Sequence, residues 1–221
     1  MAIQKALATQ SVSLVNGWIA FATMALTGYK NSLLSGLGDP LNAFNTVVDA
    51  LNKHFHFDKV DDPVVRIDTI LTNYRKIGTA TSGNATVWKD VDVTQAKADF
   101  SKQGDSTWLP PPAYAKAGQG VFFTPQFREW DATSRTGFGP KCRGAMVLHE
   151  SAHYIDAKII DYAYEWQTNP YPCLAQFVPG FFYDTLDPDL ALKNASSYAT
   201  FAIHISRGSD QPRFGAGNPS M

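Results

Sequence analysis

The first quarter of the chain has apolar residues at helical spacing. An uncharged stretch from residue 6 to residue 29 repeats them every three or four positions, and polar residues such as Asn16 and Thr23 interrupt it. A membrane span or a signal peptide needs a more continuous apolar run. The pattern therefore predicts an amphipathic helix of a soluble protein and no membrane span. Its apolar face consists of Val15, Trp18, Ile19, Ala22 and Leu26.

Three Asp-Pro pairs predict helix starts, at Asp39-Pro40, Asp62-Pro63 and Asp187-Pro188. An aspartate oxygen accepts hydrogen bonds from first-turn amides, and proline at the first helical position loses no helical hydrogen bond. Apolar residues keep helical spacing after the first two pairs, so we expect residues 1–78 to form a helical lobe. The third pair predicts a last helix over about 188–206, and residues 208–221 are expected to be a flexible tail.

Between these helical regions the pattern changes to short β-rich runs. Thr86-Val87-Trp88, Val91-Asp92-Val93 and the run from Gly120 to Thr124 predict a small sheet. We expect the segment Val121 to Thr124 to be an edge strand that holds a peptide in an extended form. A long helix is predicted from about Arg143 to Glu165. The chain is thus expected to be one α+β domain over residues 1–207, with the sheet, this helix and the last helix in residues 83–207.

Composition and charge narrow the classes of function. With 19 lysines and arginines against 20 aspartates and glutamates, the net charge of −1 offers nucleic acid no electrostatic attraction. The two cysteines, Cys142 and Cys173, exclude a zinc site made from cysteine alone and leave open whether they are bridged. His54 and His56 flank Phe55 near a predicted helix end, and we expect both to face solvent.

The segment His149-Glu150-Ser151-Ala152-His153 carries the strongest chemical indication, because it matches HExxH on a predicted helix. Residues four apart lie one turn above each other, so both imidazoles can reach one zinc ion. Glu150 is offset by one position, which suits a general base that takes a proton from a water molecule on the metal. The apolar residues before the motif predict a buried helix, where such a cluster without a metal would be unfavourable.

A catalytic zinc ion needs a third protein ligand, and three acids follow the motif. Asp161 lies eight residues after His153, which is far enough for the chain to turn back to the metal. Asp156 is on the same predicted helix and better fits an acid that supports a ligand or faces solvent. Glu165 is a third option. The spacing alone favours Asp161 and leaves the other two open.

The sequence Asp161-Tyr162-Ala163-Tyr164 after HExxH resembles the aspzincins, the family of deuterolysin and the fungal peptidyl-lysine metalloendopeptidases. Their third ligand is the aspartate of Gly-Thr-x-Asp-x-x-Tyr-Gly. Lys158-Ile159 and Glu165 replace the glycines and threonine of that motif here. Three further segments resemble the family over about residues 60–206, namely Asn194 to Ala202, Val121 to Phe127 and Arg66 to Ile77.

This resemblance implies a zincin-like fold and a zinc-dependent endopeptidase that is secreted or exported and acts on proteins or peptides. Residue by residue, it implies that His149, His153 and Asp161 bind Zn²⁺, that Glu150 is the general base, and that Tyr164 donates a hydrogen bond to the transition state.

Two positions bear on specificity. Ser196 and Ala199 stand where the lysine-selecting members carry acids, so no strict lysine preference is expected. The alternatives are a zinc amidase acting on cell-wall or other peptides, and a degenerate zincin that serves as a binding or toxin module.

Overall fold

The computed structural model describes residues 3–36, 43–82, 87–129, 142–165 and 181–208. These residues form an α+β structure of helices and one small mixed sheet, which confirms the predicted class. The helices are α1 (Ile3–Gln10), α2 (Val12–Leu34), α3 (Asn45–Phe55), α4 (Pro63–Thr81), α5 (Val93–Asp99), α6 (Arg143–Ile155), α7 (Pro188–Ala191) and α8 (Ala195–Arg207). The strands are β1 (Trp88–Asp90), β2 (Ala113–Lys116) and β3 (Gly120–Phe123).

Helix α2 packs against α4, α6 and α8 through the apolar face that the sequence predicts. That face is buried and consists of Val15, Trp18, Ile19, Ala22 and Leu26. The start of α6 comes so close that a Cβ atom at Gly144 would lie 3.1 Å from the ring of Trp18, which explains the glycine. By length and composition alone, α2 is also the one described helix that is able to cross a membrane.

Aspartate and proline begin helices as predicted at two of the three pairs. Asp62 accepts hydrogen bonds from the amides of the first turn of α4, and Asp187 does the same for α7. Asp39-Pro40 lies outside the described residues, as do Cys173 and residues 209–221 of the predicted tail.

The predicted continuous last helix is wrong. The chain leaves helical geometry after α7, and Asn194 is extended, with φ −102° and ψ 117°. It forms a parallel β-bridge with Ile160 before α8 begins.

The sheet has the strand order β1-β3-β2, so β3 is its central strand. Strand β3 pairs in parallel with β1 and antiparallel with β2. The expectation that Val121 to Thr124 is an edge strand is therefore wrong. Strands β1 and β2 lie at the two edges of the sheet. Val91-Asp92-Val93 is not a strand either, because the Asp92 side chain accepts from the amide of Gln95 and begins α5.

Helix α8 joins the helical part of the molecule to the motif helix α6. Its buried Tyr198 and Phe201 form ring contacts with Phe55 of α3 and Tyr74 of α4. Helix α6 contacts α4, α8 and strand β2. The HExxH motif is therefore carried by a helix that is held in the core between the helices and the sheet.

Candidate metal centre

Helix α6 places the two motif histidines on one face, as their spacing predicts. His149 and Glu150 are buried, and the helix ends at Ile155, well before the predicted end at Glu165. The reason for the early end is Asp156, whose backbone is extended with φ −157° and whose Oδ1 accepts a hydrogen bond from the amide of Lys158. This turn sends the chain back toward the histidines.

The returning segment is fixed to the junction between α7 and α8. The Ile160 amide donates to the Lys193 carbonyl at 2.8 Å, and the Ala195 amide donates to the Ile160 carbonyl at 3.2 Å. This parallel bridge precedes Asp161 directly. The backbone on the N-terminal side of Asp161 is thus held by the core.

The side chain of Asn194 fixes the segment on the other side of Asp161. Its Oδ1 accepts from the amides of Tyr162 and Ala163 at 3.1 and 3.3 Å, and its Nδ2 donates to the Ala163 carbonyl at 3.0 Å. Asn194 is completely buried. In the sequence, Asn194 stands out only as part of the segment that resembles the aspzincins. The sequence feature that indicates its role is an asparagine directly before an apolar helix.

The turn brings Asp161 to the two histidines. Oδ1 of Asp161 lies 3.1 Å from Nε2 of His149 and 3.2 Å from Nε2 of His153. The two Nε2 atoms are 3.1 Å apart. Three donors bound to one tetrahedral zinc ion at about 2.0–2.1 Å lie about 3.3–3.4 Å from one another. The three atoms therefore form a triangle of nearly the size that a zinc ion requires.

The protonation state of His153 supports this fit. Its Nδ1 lies 2.7 Å from the Ile159 carbonyl, which only accepts, so Nδ1 carries the proton. In the neutral ring Nε2 then presents a lone pair, which is the form that binds a metal. Oδ1 of Asp161 is buried and faces the two Nε2 atoms. A cation placed between this lone pair and the Asp161 carboxylate would be bound by both.

The electrostatics of the cluster indicate the same need for positive charge. Burial opposes protonation of His153, but hydrogen bonding and the charge of Asp161 outweigh it and raise the pKa of His153 to about 9. Burial likewise acts to raise the pKa of Asp161, yet the two histidines hold it well below its ordinary value. A proton supplies one positive charge at this place, and a divalent cation supplies two.

The other two acids do not reach the histidines. Asp156 forms the turn described above, and Glu165 is buried with Oε1 at 3.3 Å from Nζ of Lys53. The cluster able to hold a metal ion comprises His149, His153 and Asp161. The role of these three residues as zinc ligands stays a prediction, and the structure supplies the geometry that it needs.

The cluster opens into a cavity of about 770 Å³. Glu150 lines it, and burial raises the pKa of this carboxyl against the opposing charge of the two histidines. Tyr164 also lines it, with its ring stacked on that of His149 at a centroid distance of 5.6 Å. Strand β2 contributes Ala113 to Ala115 from the sheet edge. The two residues with predicted catalytic roles thus face the same space as the histidines and Asp161.

A second polar cluster lies beside the cavity and corrects one expectation. His54 and His56 are buried and do not face solvent. His54 Nδ1 is 3.0 Å from the Tyr183 hydroxyl, and its Nε2 is 3.1 Å from Nδ1 of His204. Burial, followed by the charge of neighbouring groups, lowers the pKa of His54. The helical spacing already indicates that His54 is buried, because it continues the spacing of the buried Val47, Ala50 and Leu51 on α3.

The aspzincin motifs remain a resemblance, while the side-chain cluster, the cavity and the adjoining sheet edge are features of the structure. No protein-family model matches the chain, and no curated protein sequence matches it.

Proposed function

We propose that the protein is a zinc-dependent endopeptidase with a zincin-like fold of the aspzincin type. The observation that carries this proposal is the triangle of two Nε2 atoms and one carboxylate oxygen, with sides of 3.1 to 3.2 Å, at the wall of a cavity that also contains a buried glutamate and a tyrosine. Three protein ligands and an open side are what a catalytic zinc site has, whereas a structural site has four ligands.

The chain's own residues fit the steps of peptide hydrolysis. His149, His153 and Asp161 would hold the zinc ion, which would supply Lewis acidity to a water molecule and to the substrate carbonyl. Glu150 accepts the proton from that water and passes it to the leaving amine. The raised pKa of the buried Glu150 carboxyl suits a group that both takes and returns a proton. Tyr164 donates a hydrogen bond to the oxygen that gains negative charge.

The sheet edge offers a binding mode for the substrate. Strand β2 pairs with β3 on one side, and its residues line the cavity next to Glu150. An extended peptide that adds to this edge lies across the histidine cluster, because β2 contacts α6. The proposed partners are accordingly proteins or peptides, and the proposed location is secreted or exported. We assign α2 to the core and not to a membrane, because its apolar face packs on other helices.

Zinc analysis combined with a digestion assay tests the proposal. We expect about one zinc ion per chain after loading, digestion of an unfolded protein substrate, and loss of digestion when a chelator is added. Glu150→Gln should keep the metal and lose nearly all hydrolysis. Glu129→Gln, at an exposed glutamate outside the cavity, is the matched control and should change neither. Turnover retained by Glu150→Gln contradicts the mechanism, and zinc lost together with activity assigns Glu150 a structural role.

A further inference from the structure

The cavity extends past the histidine cluster to the side of helix α8. Glu165, Ser196, Ala199 and Thr200 line this part, which we call the α8 recess. Ser196 and Ala199 are small, so the recess has room for a bulky side chain. The recess belongs to the same cavity as Glu150 and Tyr164, so a peptide cleaved there projects a side chain into it.

Glu165 adds a carboxylate to the recess, whose other lining residues, Ser196, Ala199 and Thr200, are uncharged. Its side chain is only 3% exposed, and a buried carboxylate in a binding pocket normally attracts a cationic side chain. In this protein the cation is already present. Nζ of Lys53, on α3, lies 3.3 Å from Oε1 of Glu165, and the Lys53 side chain is 19% exposed.

Among the described residues, hydroxyl and imidazole groups lie around this pair. The Tyr183 hydroxyl lies 2.8 Å from Oγ1 of Thr200, and burial followed by the negative charge of Glu165 raises the pKa of Tyr183. Burial lowers the pKa of His54 and of His204, and the charge of Lys53 contributes in the same direction to both. Asp184 and Asp49 also act electrostatically on Tyr183 and His204, but neither lines the cavity. Among the described residues that line the α8 recess, Glu165 is the acidic one, and Lys53 is the cation next to it.

We propose that the α8 recess receives the substrate side chain next to the cleaved bond, and that the Lys53–Glu165 pair makes it select uncharged side chains. This inference rests on the proposed peptidase function. A lysine or arginine side chain entering the recess has to displace the ammonium of Lys53 or remain desolvated without a partner, and both are unfavourable. An acidic side chain entering the recess is repelled by the Glu165 carboxylate and would have to displace it from Lys53. Apolar and amide side chains lose no charge partner.

A cycle of charge variants tests the inference, with cleavage sites mapped on a mixed peptide library. Lys53→Met leaves a net negative recess and should raise the ratio of lysine to leucine cleavage by at least tenfold. Glu165→Gln leaves a net positive recess and should raise cleavage at glutamate in the same way. The double variant restores neutrality and should restore the original preference. Lys30→Met, which removes a lysine that pairs with Asp68 outside the cavity, is the matched control.

The outcomes separate a specificity role from a structural one. A purely structural ion pair changes the thermal midpoint of both single variants and leaves their cleavage preferences as in the natural chain, which overturns the inference. If Lys53→Met does not fold, the glutamate preference of Glu165→Gln decides by itself. If no form of the zinc-loaded protein cleaves any peptide, the proposed function fails. NMR titration with the amides of acetyl-lysine and acetyl-leucine then tests the charge selectivity of the recess. A charge-selective recess binds the lysine compound more tightly after Lys53→Met, and unchanged binding overturns the inference.

Discussion

The hydrogen bonds of Asn194 make it the residue whose replacement best separates the metal centre from the rest of the fold. Asn194→Ala removes three side-chain hydrogen bonds to the segment that carries Asp161 and Tyr164. It leaves the amides of Tyr162 and Ala163 and the carbonyl of Ala163 without these partners. No residue with a predicted catalytic or metal-binding role is changed.

The structure sets the expected size of the effect. A buried hydrogen bond contributes about 1 kcal/mol net, and each buried group left without a partner costs about 1–3 kcal/mol. Three bonds at a completely buried side chain therefore predict a loss of at least about 3 kcal/mol in the free energy of unfolding. Because residues that orient metal ligands typically affect metal affinity by 10- to 100-fold, we expect zinc affinity to fall within about that range.

Two measurements test this prediction. Urea unfolding followed by tryptophan fluorescence gives the stability, and competition with a chromophoric chelator gives the zinc affinity. Asn73→Ala is the matched control, because Nδ2 of Asn73 donates one hydrogen bond, to the Tyr198 hydroxyl at 2.6 Å, away from the Asp161 segment. It should lose about 1 kcal/mol and keep its zinc affinity. A folded Asn194→Ala protein whose zinc affinity stays within twofold of the natural chain refutes the reasoning.

Three further predictions concern the centre itself. Tyr164→Phe should keep zinc and lower kcat by about a hundredfold, as loss of one oxyanion donor does, and an unchanged kcat contradicts its role. Asp161→Asn should weaken zinc binding at least a hundredfold in the chelator competition, whereas Asp156→Asn should not; equal effects would place the third ligand elsewhere. In the metal-free protein, the raised pKa of His153 stabilises the fold below about pH 6.5, and this stabilisation is lost as pH rises through about 9. The lowered pKa of Asp161 stabilises the fold above about pH 3.8, and this stabilisation is lost as pH falls below that value. Zinc requires the neutral imidazole, so the gain in melting temperature on adding zinc should grow from pH 6 to pH 9, and a constant gain excludes His153 as a ligand.

Periodic patterns account for the parts of the fold that the sequence predicts. The buried face of α2 and the facing pair His149 and His153 both follow from helical spacing, which is visible in a single segment. The helix starts at Asp62 and Asp187 follow from local chemistry, because the side chain bonds amides only two or three residues away.

The features that the sequence does not predict depend on contacts between distant segments. The break between α7 and α8 exists because Asn194 forms a β-bridge with Ile160. The residues next to Asn194 in the sequence do not predict this pairing. His54 is buried, and its two ring nitrogens lie within hydrogen-bond distance of Tyr183 and His204, which are 129 and 150 positions away along the chain. Strand β2 has four residues, too few for its alternation to show, and it is specified by its pairing with β3.

The bridge between Ile160 and Asn194 also determines how the centre opens. The amides of Ile160 and Ala195 donate hydrogen bonds across it, so we expect the segment bearing Asp161 and the first turn of α8 to unfold locally as one unit. A metal ion bound as proposed would link this segment to α6 and so to the core of the molecule. If the centre binds zinc as proposed, we expect filling it to slow hydrogen exchange in α8, and the α8 wall of the cavity to become more rigid with it.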